Sequence, residues 1–166
     1  MRRTNNQLLQ TLIILCFALA PPCSEGLDIG IVLDKSRSET KKDLRMAIDF
    51  LARLVDKFNP GPDKDHFGLV TFNRKAVTEF TFAKEAHYNK DQLKARIEQI
   101  SLVLNYKTRT DLAMVEARDN LFSPIGGDRP NKPNVMIFLT DGRPTHQPKP
   151  FEQFAEEFHN NPKVLR

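Results

Sequence analysis

The chain has no tryptophan, only two tyrosines, and only two cysteines among 166 residues. Both cysteines, Cys16 and Cys23, lie before residue 27, so no disulfide can form within the remainder and its fold must be held by its core. Neither is there a large excess of one charge: 25 basic against 21 acidic residues give +4, too little to argue for nucleic acid as a partner. No Asn-x-Ser/Thr sequon occurs, so no N-linked glycan is expected. Equally absent are a Gly-x-Ser-x-Gly elbow, a Gly-x-x-x-x-Gly-Lys-Ser/Thr phosphate loop, a His-Glu-x-x-His pair and a Cys-x-x-Cys pair. These absences remove the common motif-bearing hydrolases, nucleotide enzymes, zinc proteases and dithiol proteins. With 40% hydrophobic and 28% charged residues, the composition is that of an ordinary globular protein, long enough for one domain.

The first 26 residues read as a secretory signal peptide. Arg2 and Arg3 precede an apolar run from Leu8 to Ala20, and small residues follow it. The run is short and interrupted by Gln10 and Thr11, which disfavours a membrane-spanning helix. Cleavage is expected after Gly26 or after Ala20. The later cut leaves no cysteine; the earlier one leaves Cys23 as a single thiol able to pair between chains. Removal through Gly26 leaves 23 basic and 20 acidic residues, a net +3. The expected location is extracellular, without membrane attachment after cleavage.

From residue 27 onward, apolar runs alternate with helical periodicity. Leu27 to Leu33 reads as a strand buried on both faces. Leu44, Ile48, Leu51, Val55 and Phe58 recur at helical spacing over 41–58, and Asn59-Pro60-Gly61-Pro62 stops that helix. His66 to Phe72 is a second strand, and 76–82 a hairpin-linked antiparallel edge strand. Asn89 caps a helix carrying Leu93, Ile97 and Ile100; Thr110 is the expected cap of another over 111–122. Asn134 to Leu139 is a further buried strand, and Phe151, Phe154, Ala155 and Phe158 outline a last helix. The order predicts an α/β fold: a doubly wound, mostly parallel sheet with helices on both faces and one antiparallel edge strand.

The first strand ends in Asp34-Lys35-Ser36-Arg37-Ser38. One carboxylate and two hydroxyls at alternate positions form a hard, all-oxygen donor set suited to a magnesium-class ion. Their place beyond the carboxyl end of a parallel strand is where open α/β sheets bind ligands. Taken singly, Asp34 or Ser38 also reads as the cap of the helix that follows.

Two buried strands ending in Asp34 and Asp141, with a threonine loop between them, resemble the von Willebrand factor type A domain over 27–166. The resemblance rests on Asp34-x-Ser36-x-Ser38, on Thr108 in Lys107-Thr108-Arg109-Thr110-Asp111-Leu112, and on Leu139-Thr140-Asp141-Gly142. It implies a metal-ion-dependent adhesion site in which Asp34, Ser36, Ser38, Thr108 and Asp141 hold Mg2+, or Mn2+ or Ca2+. Thr110 is the alternative to Thr108. It also implies a final strand and helix after Asp141 that this sequence is too short to supply, which would leave an apolar strand edge unpaired. Extracellular relatives of the matrilin and collagen type, the most similar through Arg37 between the serines, imply binding to collagens, other matrix glycoproteins or cell-surface receptors.

Lys35, Arg37, Lys107, Arg109 and Arg143 flank the proposed ligands and are expected to form a positive rim favouring acidic partner groups. No exposed aromatic platform is expected. The four histidines, His66, His87, His146 and His159, read as surface or turn residues, with only His146 near the site. The principal expectation is a secreted matrix-binding module with no enzymatic activity. A structural module that does not use the metal is the alternative, and a metal-dependent hydrolase a minor one.

Overall fold

The computed structural model describes residues 26–37 and 40–140. The signal segment, Ser38, Asp141, Arg143, His146, His159 and the expected last helix lie outside the described residues. Among the described residues four strands form one sheet: β1 (Asp28–Asp34), β2 (His66–Phe72), β3 (Ala76–Phe80) and β4 (Asn134–Leu139). Their order is β3-β2-β1-β4, with β1 parallel to both neighbours and β3 antiparallel to β2. Helices α1 (Lys41–Val55), α2 (Lys90–Glu98) and α3 (Thr110–Glu116) complete the framework. The expected α/β sheet is therefore present. Among the described residues no helix is long and apolar enough to cross a membrane.

Alternation along β1 divides the core in two. Ile29, Ile31 and Leu33 face α1 and α2, joining Leu44, Ile48, Leu51, Val55, Leu93 and Ile97 in one cluster. Val32 lies with Val70, Phe72, Met114, Leu121, Phe122 and Phe138 on the α3 side. Every residue of β1 is buried, as a strand covered on both faces requires.

The helix ends differ from the sequence reading in ways that local bonding explains. α1 stops at Val55, three residues early, because the N–H groups of Asp56, Lys57 and Phe58 bond three residues back and tighten the chain into turns. Its cap is Thr40, in a reciprocal capping box with Asp43, so Asp34 is not the cap of this helix. Asn89 caps α2 as expected, accepting from the Gln92 N–H at 3.0 Å. Thr110, however, is the first residue of α3 rather than its cap. β3 ends at Phe80, and Phe82 instead turns inward to meet Phe122 edge-on, their centroids 5.4 Å apart.

The helix expected over 111–122 keeps regular geometry only to Glu116 and then widens into a π turn over Ala117–Leu121, closed by Phe122 N–H to Ala117 C=O at 2.9 Å. The turn carries Leu121 and Phe122 onto the central strands, where glycines make room. A Cβ on Gly30 would stand 2.5 Å from the Phe122 ring, and one on Gly68 2.8 Å from Leu121. Gly30→Ala is expected to destabilise the fold by about 1–3 kcal/mol through overpacking, read as a lower urea midpoint; an unchanged midpoint would contradict this packing.

At the base of the sheet two histidines are buried rather than exposed, correcting the surface reading: His66 is 5% and His87 7% accessible. His66 Nε2 lies 3.1 and 2.9 Å from the carbonyls of Gly61 and Pro62, which assigns the proton to that nitrogen, and its ring stacks on Tyr88. His87 meets Phe80 edge-on. Burial holds both imidazoles below the ordinary 6.5; at His66 the Pro62 carbonyl and, less, Asp28 and the Gly61 carbonyl oppose this while Arg129 adds to it, and Arg96 and Lys84 add to it at His87. A folded pKa below the unfolded one gives stability that is complete above 6.5 and is lost as pH falls through it, because the unfolded chain then binds more protons. Urea unfolding is expected to show lower stability at about pH 5.5 than at about pH 7.5, with the difference reduced in the His66→Gln, His87→Gln double variant. An equal pH dependence in the variant would contradict the assignment.

Candidate functional site

The site is built on the carboxyl end of β1. Asp34 is fully buried, and its two oxygens are held separately. Oδ1 accepts the Ser36 N–H at 2.7 Å, and Oδ2 accepts the Thr140 hydroxyl at 2.6 Å. Both of these donors are neutral, and together they orient the carboxylate. Thr140 follows directly on β4, the parallel neighbour of β1. Its role was missed in the sequence, although it stands inside the quoted Leu139-Thr140-Asp141.

Backbone bonds join the surrounding loops. Lys35 N–H bonds the Phe72 carbonyl at 2.7 Å, extending the β1–β2 ladder. Ser36 pairs with Asn105: Arg37 N–H donates to the Asn105 carbonyl at 2.9 Å, and Asn105 N–H to the Lys35 carbonyl at 3.2 Å. Arg109 N–H donates to the Asn73 carbonyl at 2.9 Å, just past β2. Between these attachments Lys107 takes a positive φ of 74°, and the chain reverses so that Thr108 is buried, 3% accessible. Ser36 is 1% accessible. Three of the five expected oxygen donors, Asp34, Ser36 and Thr108, are thus buried on loops bonded to one another; Ser38 and Asp141 lie outside the described residues. Thr110, the alternative, is half-buried at the start of α3.

Among the described residues the positive rim is smaller than expected. Lys35 is 7% accessible and does not stand at a rim. It continues the inward alternation of Ile29, Ile31 and Leu33, and burial lowers its pKa, opposed by the nearby Glu79 carboxylate. Glu79 also accepts from Thr71 at 2.9 Å and Arg96 at 2.8 Å. Arg109 is engaged as well, its guanidinium gripping Asp111 through Nε at 2.7 Å and Nη2 at 2.5 Å, which holds the Asp111 carboxyl below the usual range. Arg143 lies outside the described residues. Arg37 and Lys107 remain exposed. Contrary to expectation, an exposed aromatic is present: Tyr106 is 68% accessible, with the Arg37 guanidinium 4.2 Å from its ring centroid.

Asp34 with the hydroxyls of Ser36 and Thr108 offers only oxygen donors, a set that suits a hard divalent ion. Among the described residues there is no cluster of three His, Cys, Asp or Glu side chains able to hold a metal.

Comparison with known proteins matches this architecture. The model of the von Willebrand factor type A domain fits residues 28–161. von Willebrand factor A domain-containing protein 1 of Danio rerio is 31% identical over 156 residues, covering 87% of this chain and 30% of that protein. Matrilin-3 of Homo sapiens is 31% identical, over 75% of this chain and 26% of its own length, and vitrin of Bos taurus 28%, over 82% and 21%. The chain therefore spans less than a third of these relatives. Among solved structures, proximal thread matrix protein 1 from the mussel byssus aligns with a TM-score of 0.72 at 27% identity, over 81% of this chain and 35% of that one. A second structure of that protein, with a zinc-occupied MIDAS motif, aligns with a TM-score of 0.71 at 26% identity, over the same 81% and 35%.

Proposed function

The chain belongs to the von Willebrand factor type A domain family, and on that premise we propose that it is a secreted matrix-adhesion module, not an enzyme. It engages acidic groups of matrix proteins, such as collagens or glycoproteins, through a divalent cation held by Asp34, Ser36, Ser38, Thr108 and Asp141. Residues 1–26 serve as the signal peptide that exports it. Its relatives among matrix and adhesion proteins support this reading.

One observation carries the proposal: a fully buried Asp34, oriented by neutral donors, sits beside buried Ser36 and a loop presenting buried Thr108. Bound Mg2+ would supply an electrophilic position at which a partner carboxylate can complete an octahedral oxygen shell. The protein's own part is positional. Thr140 and the Ser36 N–H fix the two Asp34 oxygens, and the Asn105 and Asn73 backbone bonds hold the serine and threonine loops in register with them.

The test is calorimetric titration of the purified chain with Mg2+, together with adhesion to immobilised collagen in Mg2+ and in EDTA. Binding is expected to require Mg2+, and Asp34→Asn and Thr108→Ala are expected to weaken metal affinity by at least about tenfold while thermal unfolding remains cooperative. Collagen adhesion unchanged by EDTA and by both substitutions would instead identify a structural module that does not use the metal.

A further inference from the structure

Beside the candidate cation site runs a groove of about 450 Å3 lined by Arg37, Lys41, Val103 and Leu104. Its wall is tied to the site by the Ser36–Asn105 pairing, so the two share one face. We propose that this groove is a second, cation-independent subsite that takes an acidic peptide segment carrying an aliphatic side chain. The proposal extends the adhesion reading by placing another contact on the same face, but its own binding does not pass through the metal.

Three observations point to that occupant. First, the groove's cations stand outside the ion pairs of the described residues. Arg96, Arg109, Arg118, Arg129 and Lys94 are paired with Glu79, Asp111, Asp119, Asp28 and Asp56, whereas among the described residues no carboxylate pairs with Arg37 or Lys41. Second, Lys41 is the first residue of α1, where the positive end of the helix dipole disfavours a cation, so folding gains nothing from its charge. Third, the apolar groups on this strip are divided. Leu104 packs against the α1–α2 core, while Val103 is 61% and Tyr106 68% accessible.

The Tyr106 ring supports the Arg37 guanidinium from one face, so its N–H edge can be presented to a carboxylate. An acidic segment would place carboxylates against Arg37 and Lys41 and a branched or linear aliphatic group against Val103 and Leu104. The mixture of charge and apolar floor separates this occupant from a uniformly charged polyanion, which would leave Val103 exposed.

The measurement is fluorescence anisotropy of the full chain with a short labelled peptide alternating glutamate and leucine, in EDTA so that no cation contributes. Binding is expected to persist in EDTA and to weaken as salt rises from about 0.05 to about 0.3 M. The Arg37→Glu, Lys41→Glu double variant is expected to lose roughly tenfold in affinity, on the scale of two exposed ion pairs. Val103→Asp, or serine in place of leucine in the peptide, is expected to weaken it severalfold. No binding in EDTA, no effect of the charge reversal, or equal binding of the serine peptide would each overturn the proposal. Loss of Mg2+-dependent collagen adhesion in Asp34→Asn, with this binding intact, would separate failure at the cation site from failure here.

Discussion

Everything at the site depends on one strand with a buried carboxylate at each end. β1 lies between two parallel neighbours and is buried along its whole length, so its backbone is fixed by ladders on both sides. Asp28 at its start and Asp34 at its end are both fully buried. Removing such groups from water is tolerated only where specific partners compensate. At the base the partner is a cation: Arg129 holds Asp28 Oδ1 through Nε at 2.8 Å and Nη2 at 2.7 Å, while its backbone N–H takes Oδ2 at 2.7 Å. The side chain that anchors the strand thus comes from just ahead of β4, and both ends of β1 are tied to that neighbour.

The opposite pole is arranged differently. There a backbone N–H and a hydroxyl donate to Asp34, and the adjoining side chains, Ser36 and Thr108, contribute more oxygen. Arg109, which might have offered a positive charge, is committed to Asp111, and Lys35 is turned to the α2 side, near Glu79. One end of β1 thus carries a carboxylate gripped by an arginine, and the other a carboxylate beside hydroxyls. The charged surface is divided as well: Arg96, Arg109, Arg118 and Arg129 serve ion pairs, and Arg37 and Lys41 face a groove beside the site.

The fold was legible because burial on both faces writes itself as continuous apolar runs, as in Ile29–Leu33 and Val135–Leu139, while α1 shows its stripe at helical spacing. Helix ends were less legible. The π turn at Ala117–Leu121 answers to the space above Gly30 and Gly68, which no local pattern reveals. Asp34, Ser36 and Thr108 were readable as oxygen donors at loop positions, but their burial was not. Lys35 was misread because the inward alternation of β1 continues one step past the strand, carrying a cation into the position of a core residue. Thr140 escaped notice because its hydroxyl acts across strands, on a partner 106 residues away. His66 and His87 looked scattered in the chain and meet aromatic neighbours only once the chain is folded.

The central claim is that the hydroxyl-rich pole of β1 is a cation site. Crystals of the chain soaked in Mn2+ and measured at the manganese absorption edge test it most directly. The account predicts an anomalous density peak bounded by Asp34, Ser36 and Thr108, absent from crystals of the Asp34→Asn variant. No peak at that position, with Asp34 ordered as described, would contradict it.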